Sequence, residues 1–168
     1  FNISAFKLNH TVLTYGFVFK ENDKIKFDLK KCKKLGIKGE MFKHLELKGH
    51  IIINNRKILL KNISFKKLGR KVVYSSDTRP CTETIKNSKN ANVLIHESSY
   101  TAEYSELAKS RKHSTVLEAA KIAKISKVNL LILTHFSARY KDDYELIKEA
   151  KTVFNNVIIG KDGYKTIL

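Results

Sequence analysis

At 168 residues, with 42% hydrophobic content, one proline and seven glycines, the chain has the size and composition of one folded domain, which argues against disorder. Lys and Arg number 33 against 16 Asp and Glu, a formal charge of +17; this exceeds what solubility asks of a small domain and points to a polyanionic partner, nucleic acid first, with a lysine-rich bias of the source organism as the plain alternative. No apolar run is long enough to cross a membrane, and Cys32 and Cys81 stand apart, which argues against a thiolate zinc site or disulfide framework and fits a reduced, cytoplasmic setting.

Residues 2–9 alternate Ile3, Ala5 and Phe6 with polar neighbours, and residues 15–19 alternate again around Gly16. This predicts a β-hairpin with His10 at its turn. The lysine-rich segment 21–48 follows, with Phe27, Leu29, Cys32, Leu35 and Ile37 as a thin apolar stripe. Asp28 is placed to cap a short helix that Gly36 ends, and Gly39 opens a second turn leading to Met41, Phe42 and Leu45. The stripe is too narrow to make a core. The segment therefore reads as a basic arm that grips phosphates, a solvated surface element being the alternative, with His44 and His50 as surface residues. Residues 49–53 and 57–60, joined by Asn54, Asn55 and Arg56, predict a second hairpin.

From residue 71 the pattern changes to alternating strands and helices. The run KVVYSSDTRP, 71–80, holds a buried strand, Val72 to Tyr74, that leaves the sheet at Ser75, Ser76 and Asp77. Val93, Leu94 and Ile95 run into His96 and Glu97 in the same way, and 129–133 run into Thr134, His135, Phe136, Ser137, Ala138 and Arg139. Helical periodicity covers 101–109, 114–126 and 142–154, and the chain closes on strands at 157–160 and 163–168. This alternation predicts an α/β layered domain whose parallel strands bring their polar ends to one rim, where open α/β sheets place ligands.

His10, Asp77, His96, Glu97, His113 and His135 are the potential metal ligands or proton carriers on those strand ends and turns. Imidazole nitrogen with carboxylate oxygen suits zinc, and a carboxylate has two oxygens with which to bridge two ions, the natural role for Asp77. Two ions a few ångströms apart suit phosphodiester hydrolysis. Glu97 and His113 form a plausible acid–histidine pair, which fixes a tautomer and makes the histidine a general acid.

The runs YSSDTRP, LIHESSY, RKHSTVLEAAKIAK and LILTHFSARY, in this order, with the hairpin LNHTVLTYGFVF before them, resemble the closing motifs of ribonuclease Z, the tRNA 3′-end processing endonuclease family of the metallo-β-lactamase fold. The resemblance covers nearly the whole chain. It implies an αββα sandwich of which this chain is the carboxyl-terminal portion, 1–168, with 21–48 an inserted tRNA-binding arm whose Lys30, Lys31, Lys33 and Lys34 contact RNA. It implies a zinc-dependent endonuclease that removes the 3′ trailer from precursor tRNA and works as a homodimer with two zinc ions. His10 is then a ligand of the first zinc, Asp77 bridges both and His135 is a ligand of the second. Glu97 and His113 protonate the leaving oxygen, with Arg139 near the phosphate.

The chain departs from that family in lacking a His-x-His-x-Asp-His run, which there supplies two ligands to each zinc and the aspartate that activates water. The expectation is that this motif lies upstream of Phe1, in an amino-terminal part, and that this chain alone is inactive. Gly39 is followed by Glu40 where the family's arm often has Gly-Pro, and Ser98 and Ser99 follow Glu97 where Ala and Thr are usual. A tRNA-gripping module without catalysis, or another phosphodiesterase of the same fold, are the alternative functions.

Overall fold

The apolar runs form strands where the alternation and β-branched content place them, and the polar stretches after them form the loops of one rim. In the computed structural model, which describes residues 1–166, β1 (Asn2–Lys7) and β2 (Tyr15–Lys20) make the first hairpin. The phenyl ring of Phe6 lies against its cross-strand partner Gly16, where any Cβ would collide with it. The chain then divides into two units, Asn22–Gly69 and the remainder.

The larger unit is built on a six-stranded sheet in the order β1, β2, β7 (Lys71–Ser75), β8 (Val93–Glu97), β9 (Leu130–Thr134), β10 (Val157–Ile159). The first three strands are antiparallel and the last four parallel. Helices α3 (Thr82–Ser88), α5 (Val116–Ile125) and α6 (Tyr144–Lys151) pack against it. Val18, Val73, Leu94, Leu131 and Leu133 join Ala119, Ala120, Ile122, Ala123, Leu146 and Ala150 in one buried core. The capping box Thr115/Glu118 starts α5: the Thr115 hydroxyl accepts from Glu118 N, and the Glu118 carboxylate accepts from Thr115 N at 2.9 Å.

The alternate residues of the same strands point away from the helices. Ala5, Phe17, Tyr74, Ile95 and Ile132 lie side by side across five strands, and Ile3, Tyr15, Phe17, Phe19 and Tyr74 are all exposed. An apolar sheet face of this extent is a surface built to be covered.

Two expectations are corrected in this unit, and one element had no counterpart in the sequence reading. Helix α3 was not foreseen in the sequence, and the region read as a helix at 101–109 opens as a single 3₁₀ turn, Ala102–Tyr104, before α4 (Ser105–Ser110). Of the closing strand expected at 163–168, residues 163–166 are not strand, and Ile167 and Leu168 lie outside the described residues.

The unit Asn22–Gly69 contains β3 (Lys24–Phe27), α1 (Leu29–Lys34), α2 (Met41–Lys48), β4 (His50–Ile53), β5 (Arg56–Leu59) and β6 (Ser64–Lys67). Asp28 caps α1 through Lys31 N, and Gly49 ends α2 at φ 71°. Asn54 and Asn55 both take positive φ in the β4–β5 turn, as a tight hairpin requires. The antiparallel pair β3–β6 was not anticipated, and the stripe judged too narrow for a core does make one. Cys32, Ile37, Leu45 and Ile63 are buried together, with Phe27, Phe42, Ile51 and Ile58 packed against them, because the second hairpin folds into the same unit. Lys30, Lys33 and Lys34 are exposed, and Lys31 reaches the Asp28 carboxylate and the Asn62 carbonyl.

Candidate functional site

The site grows from loops that follow β7, β8 and β9, joined by the β1–β2 loop and the segment entering α5. The β1–β2 loop is fixed by a bridge between Asn9 and Arg79: Arg79 N donates to Asn9 O at 2.9 Å, and Asn9 N donates to Thr78 Oγ1 at 3.1 Å. This pins His10 beside Asp77. The α5 entry is fixed by Val116 N donating to Tyr100 O at 2.7 Å and His113 N to Ala108 O at 2.8 Å.

Glu97, 1% exposed, is the hub. Its Oε1 accepts from Thr78 N at 2.9 Å, His113 Nδ1 at 3.0 Å and Ser114 N at 3.1 Å; its Oε2 accepts from Ser99 N at 3.1 Å and Ser99 Oγ at 3.0 Å. Five converging donors occupy the lone pairs of this carboxylate, so it serves as an orienting group for the loops around it rather than as a free ligand.

Three histidines surround this hub. His10 Nδ1 donates to Lys112 O at 2.9 Å, and Lys112 has a left-handed backbone, φ 54°. His113 Nδ1 donates to Glu97, and His135 Nδ1 meets Ser99 Oγ at 2.9 Å. The rings are neighbours: His10 and His113 centroids are 5.0 Å apart, and His113 and His135 are stacked at 5.3 Å and 21°. Each ring therefore has its Nδ1 committed and its Nε2 left over, the arrangement in which histidines bind metals. His135 Nε2 stands 3.6 Å from Asp77 Oδ1, too far for a hydrogen bond. His135 itself has φ 57°, an uncommon backbone for a non-glycine residue and one that collects at functional sites.

Among the described residues, two groups of three have ligand atoms within 4.8 Å of one another: His10, Asp77 and His113, and Glu97, His113 and His135. The donor chemistry fits a borderline metal such as zinc. The structure thus brings together His10, Asp77, Glu97, His113 and His135, all read from sequence as site residues. His96 does not join them. Successive side chains of β8 point to opposite faces, so His96 is fully buried; burial pushes its imidazole below the ordinary histidine range, and its Nε2 has no partner among the described residues. Arg139 stacks on Tyr104 at 4.2 Å and Tyr100 at 5.2 Å, and the Tyr100 ring lies 6.3 Å from that of His113.

Sequence reading missed the supports. Arg79 donates to His113 O at 2.7 Å and makes a two-pronged ion pair with Glu118, tying the His113 segment to the start of α5. Only the Thr115-x-x-Glu118 spacing, a capping box, hinted at this. Thr78, Ser99 and Ser114 lie in the runs that carry the family resemblance, but nothing in them as single residues marked a supporting role.

No family model matches the chain. It is 38% identical over 162 residues to the ribonuclease Z of Chlamydia muridarum and 41% identical over 167 residues to that of Archaeoglobus fulgidus, in both cases over 96% of its own length. It spans about half of each relative, 53% and 55% respectively. Among solved structures, the metallo-β-lactamase fold protein YhfI of Bacillus subtilis matches with a TM-score of 0.62 and 25% identity over 96% of this chain and 47% of that one. A human tRNase Z, short form, matches at 0.53 with 22% identity, covering 95% of this chain and 40% of that one. The α/β fold is the metallo-β-lactamase fold of these structures, and the sequence is similar to ribonuclease Z over 96% of its length.

Proposed function

We propose that this chain is the carboxyl-terminal portion of a ribonuclease Z, a zinc-dependent, cytoplasmic endonuclease that removes the 3′ trailer from precursor tRNA. The observation that carries this reading is the buried Glu97–His113 pair at 3.0 Å beside His10, Asp77 and His135. An inert RNA-binding surface has no need of a buried carboxylate spending five hydrogen bonds to orient one imidazole and its neighbours.

In this reading His10, Asp77 and His135 would hold zinc, Asp77 as the shared ligand, and zinc bound there would supply Lewis acidity toward the scissile phosphate. Glu97 holds the His113 proton on Nδ1 and steadies the imidazolium, so that Nε2 passes its proton to the leaving oxygen. Arg139, spread over two tyrosine rings, offers a planar cation to a phosphate one ring away from His113. The remaining zinc ligands come from an amino-terminal part of the protein, whose packing would also cover the apolar sheet face bearing Phe17 and Tyr74. The complete enzyme is a homodimer in this proposal, checked by light scattering. The full-length protein should cleave trailer-bearing precursor tRNA, lose that activity to a chelator and regain it with zinc; failure of zinc to restore cleavage would refute the metal assignment.

This chain by itself is expected to bind zinc weakly. Its three proposed ligands are far fewer than the roughly six to eight that two ions take from a protein. Two tightly held ions per chain in metal analysis would contradict the assignment.

The unit Asn22–Gly69 is proposed to grip the tRNA, through Lys30, Lys31, Lys33 and Lys34 on α1. Changing all four to Ala should weaken binding by a similar factor for different tRNAs and flatten its dependence on salt, since phosphate contacts release counterions without reading bases. Unchanged affinity across a salt titration would remove α1 from the RNA contact.

A further inference from the structure

We infer that Ser99 is a positioning residue that carries the Glu97 carboxylate to His135, holding the His135 proton on Nδ1 and leaving Nε2 as the nitrogen that faces Asp77. The Ser99 hydroxyl, 4% exposed, lies 3.0 Å from Glu97 Oε2 and 2.9 Å from His135 Nδ1. A hydroxyl has one hydrogen, and a carboxylate oxygen can only accept. Were that hydrogen turned toward His135, two oxygen lone pairs would face each other in a buried place at 3.0 Å, so the hydrogen goes to Glu97. Ser99 Oγ is then an acceptor toward His135, and the imidazole meets it with Nδ1–H. The Ser99 amide donates to the same Glu97 oxygen, which locks the hydroxyl oxygen in place.

One buried carboxylate therefore sets two stacked rings. It orients His113 by direct contact and His135 through Ser99, while His10 takes its tautomer from the Lys112 carbonyl. The relay is sensitive to a change that barely alters volume. Thr keeps the hydroxyl, Val has the shape of Thr without it, and Ala removes the group altogether.

The inference rests on the proposed role of His135 as a ligand, and the experiment separates the two. In the metal-free full-length protein, ¹⁵N-labelled on histidine and held well above the ordinary imidazole titration at about pH 6.5, proton-detected nitrogen spectra distinguish Nδ1–H from Nε2–H. The parent and Ser99→Thr should show His135 as Nδ1–H. Ser99→Ala and Ser99→Val should shift it toward Nε2–H and lower zinc affinity by roughly 10- to 100-fold, the usual effect of losing a group that supports a ligand. Should Ala disturb the fold, the isosteric Thr and Val pair still decides the matter. An unchanged Nδ1–H tautomer in Ser99→Val, or the same shift in Thr as in Val, overturns the relay. A tautomer shift with parental zinc affinity upholds the relay and removes His135 from the metal site.

Discussion

His113→Ala in the full-length protein should slow trailer cleavage by roughly 10²- to 10⁴-fold, about 3–5 kcal/mol of barrier, with zinc content and tRNA affinity nearly unchanged. The reasoning starts from Glu97. Because its Oε1 takes the Nδ1 proton of His113 at 3.0 Å, the other nitrogen is the one available for proton transfer, and a buried carboxylate stabilises the imidazolium that donates. Zinc content is the decisive control, since His113 also lies within reach of both donor groups. Depleted zinc in His113→Ala would move this residue from proton donor to ligand. Glu97→Gln should differ from it in stability. An amide oxygen placed at Oε1 sets an NH₂ group against Ser99 N–H and Oγ, leaving buried donors unmatched at about 1–3 kcal/mol each, so Glu97→Gln should lower Tm more than His113→Ala, which leaves Oε1 its two backbone donors. The double variant should be hardly slower than the slower single one, because the two act as one unit. Additive losses in rate would refute that coupling.

Asp77→Ala should cost the protein both metals, and with them cleavage by more than the 10- to 100-fold typical of supporting residues. Asp77 is one-third exposed, and in this structure it is bound by none of the hydrogen bonds that saturate Glu97. A carboxylate oxygen of Asp77 lies within 4.8 Å of ring nitrogens of His10 and His113, and its Oδ1 is 3.6 Å from His135 Nε2. Among the described residues it is the carboxylate that stands near both His10 and His135 without being saturated by hydrogen bonds. His135→Ala should remove a single metal by the same logic. Elemental analysis of the purified variants checks this, and equal metal loss from Asp77→Ala and His135→Ala would argue against a bridging carboxylate.

The parts of the fold that sequence reading captured are those whose side chains are of one kind. Val72 to Tyr74, Val93 to Ile95 and Leu130 to Leu133 are short apolar runs that end on polar residues, and they became neighbouring parallel strands with those residues at one rim. Helix α3 escaped because its buried face is made by Thr84 and Ser88, with Ile85 half-buried, and polar residues carry no hydrophobic period. Strands β3 and β6 hid within a charge run, each only four residues long. The small core of Cys32, Ile37, Leu45 and Ile63 depends on residues far apart in the chain, which periodicity in one window cannot join.

The site divides along a similar line. Histidine and acid at a strand end mean little singly, but several of them at the ends of successive strands in one chain point to a shared site. Strand alternation, applied strictly, would have separated His96 from Glu97. Ser99, Thr78 and Arg79 act through hydrogen bonds made across dozens of residues, and small hydroxyls are too common in loops to mark themselves.

The left-handed backbone of His135 sets the demands of folding against those of chemistry. With φ at 57°, a residue bearing a Cβ pays about 1–2 kcal/mol that glycine would not. Laboratory evolution for heat resistance alone should accordingly enrich Gly or Asn at this position, trading the imidazole for relief of strain. Selection for turnover should drive it back to His. The ratio of the two outcomes in a paired selection would measure how much conformational discomfort the molecule tolerates to keep one nitrogen aimed at Asp77.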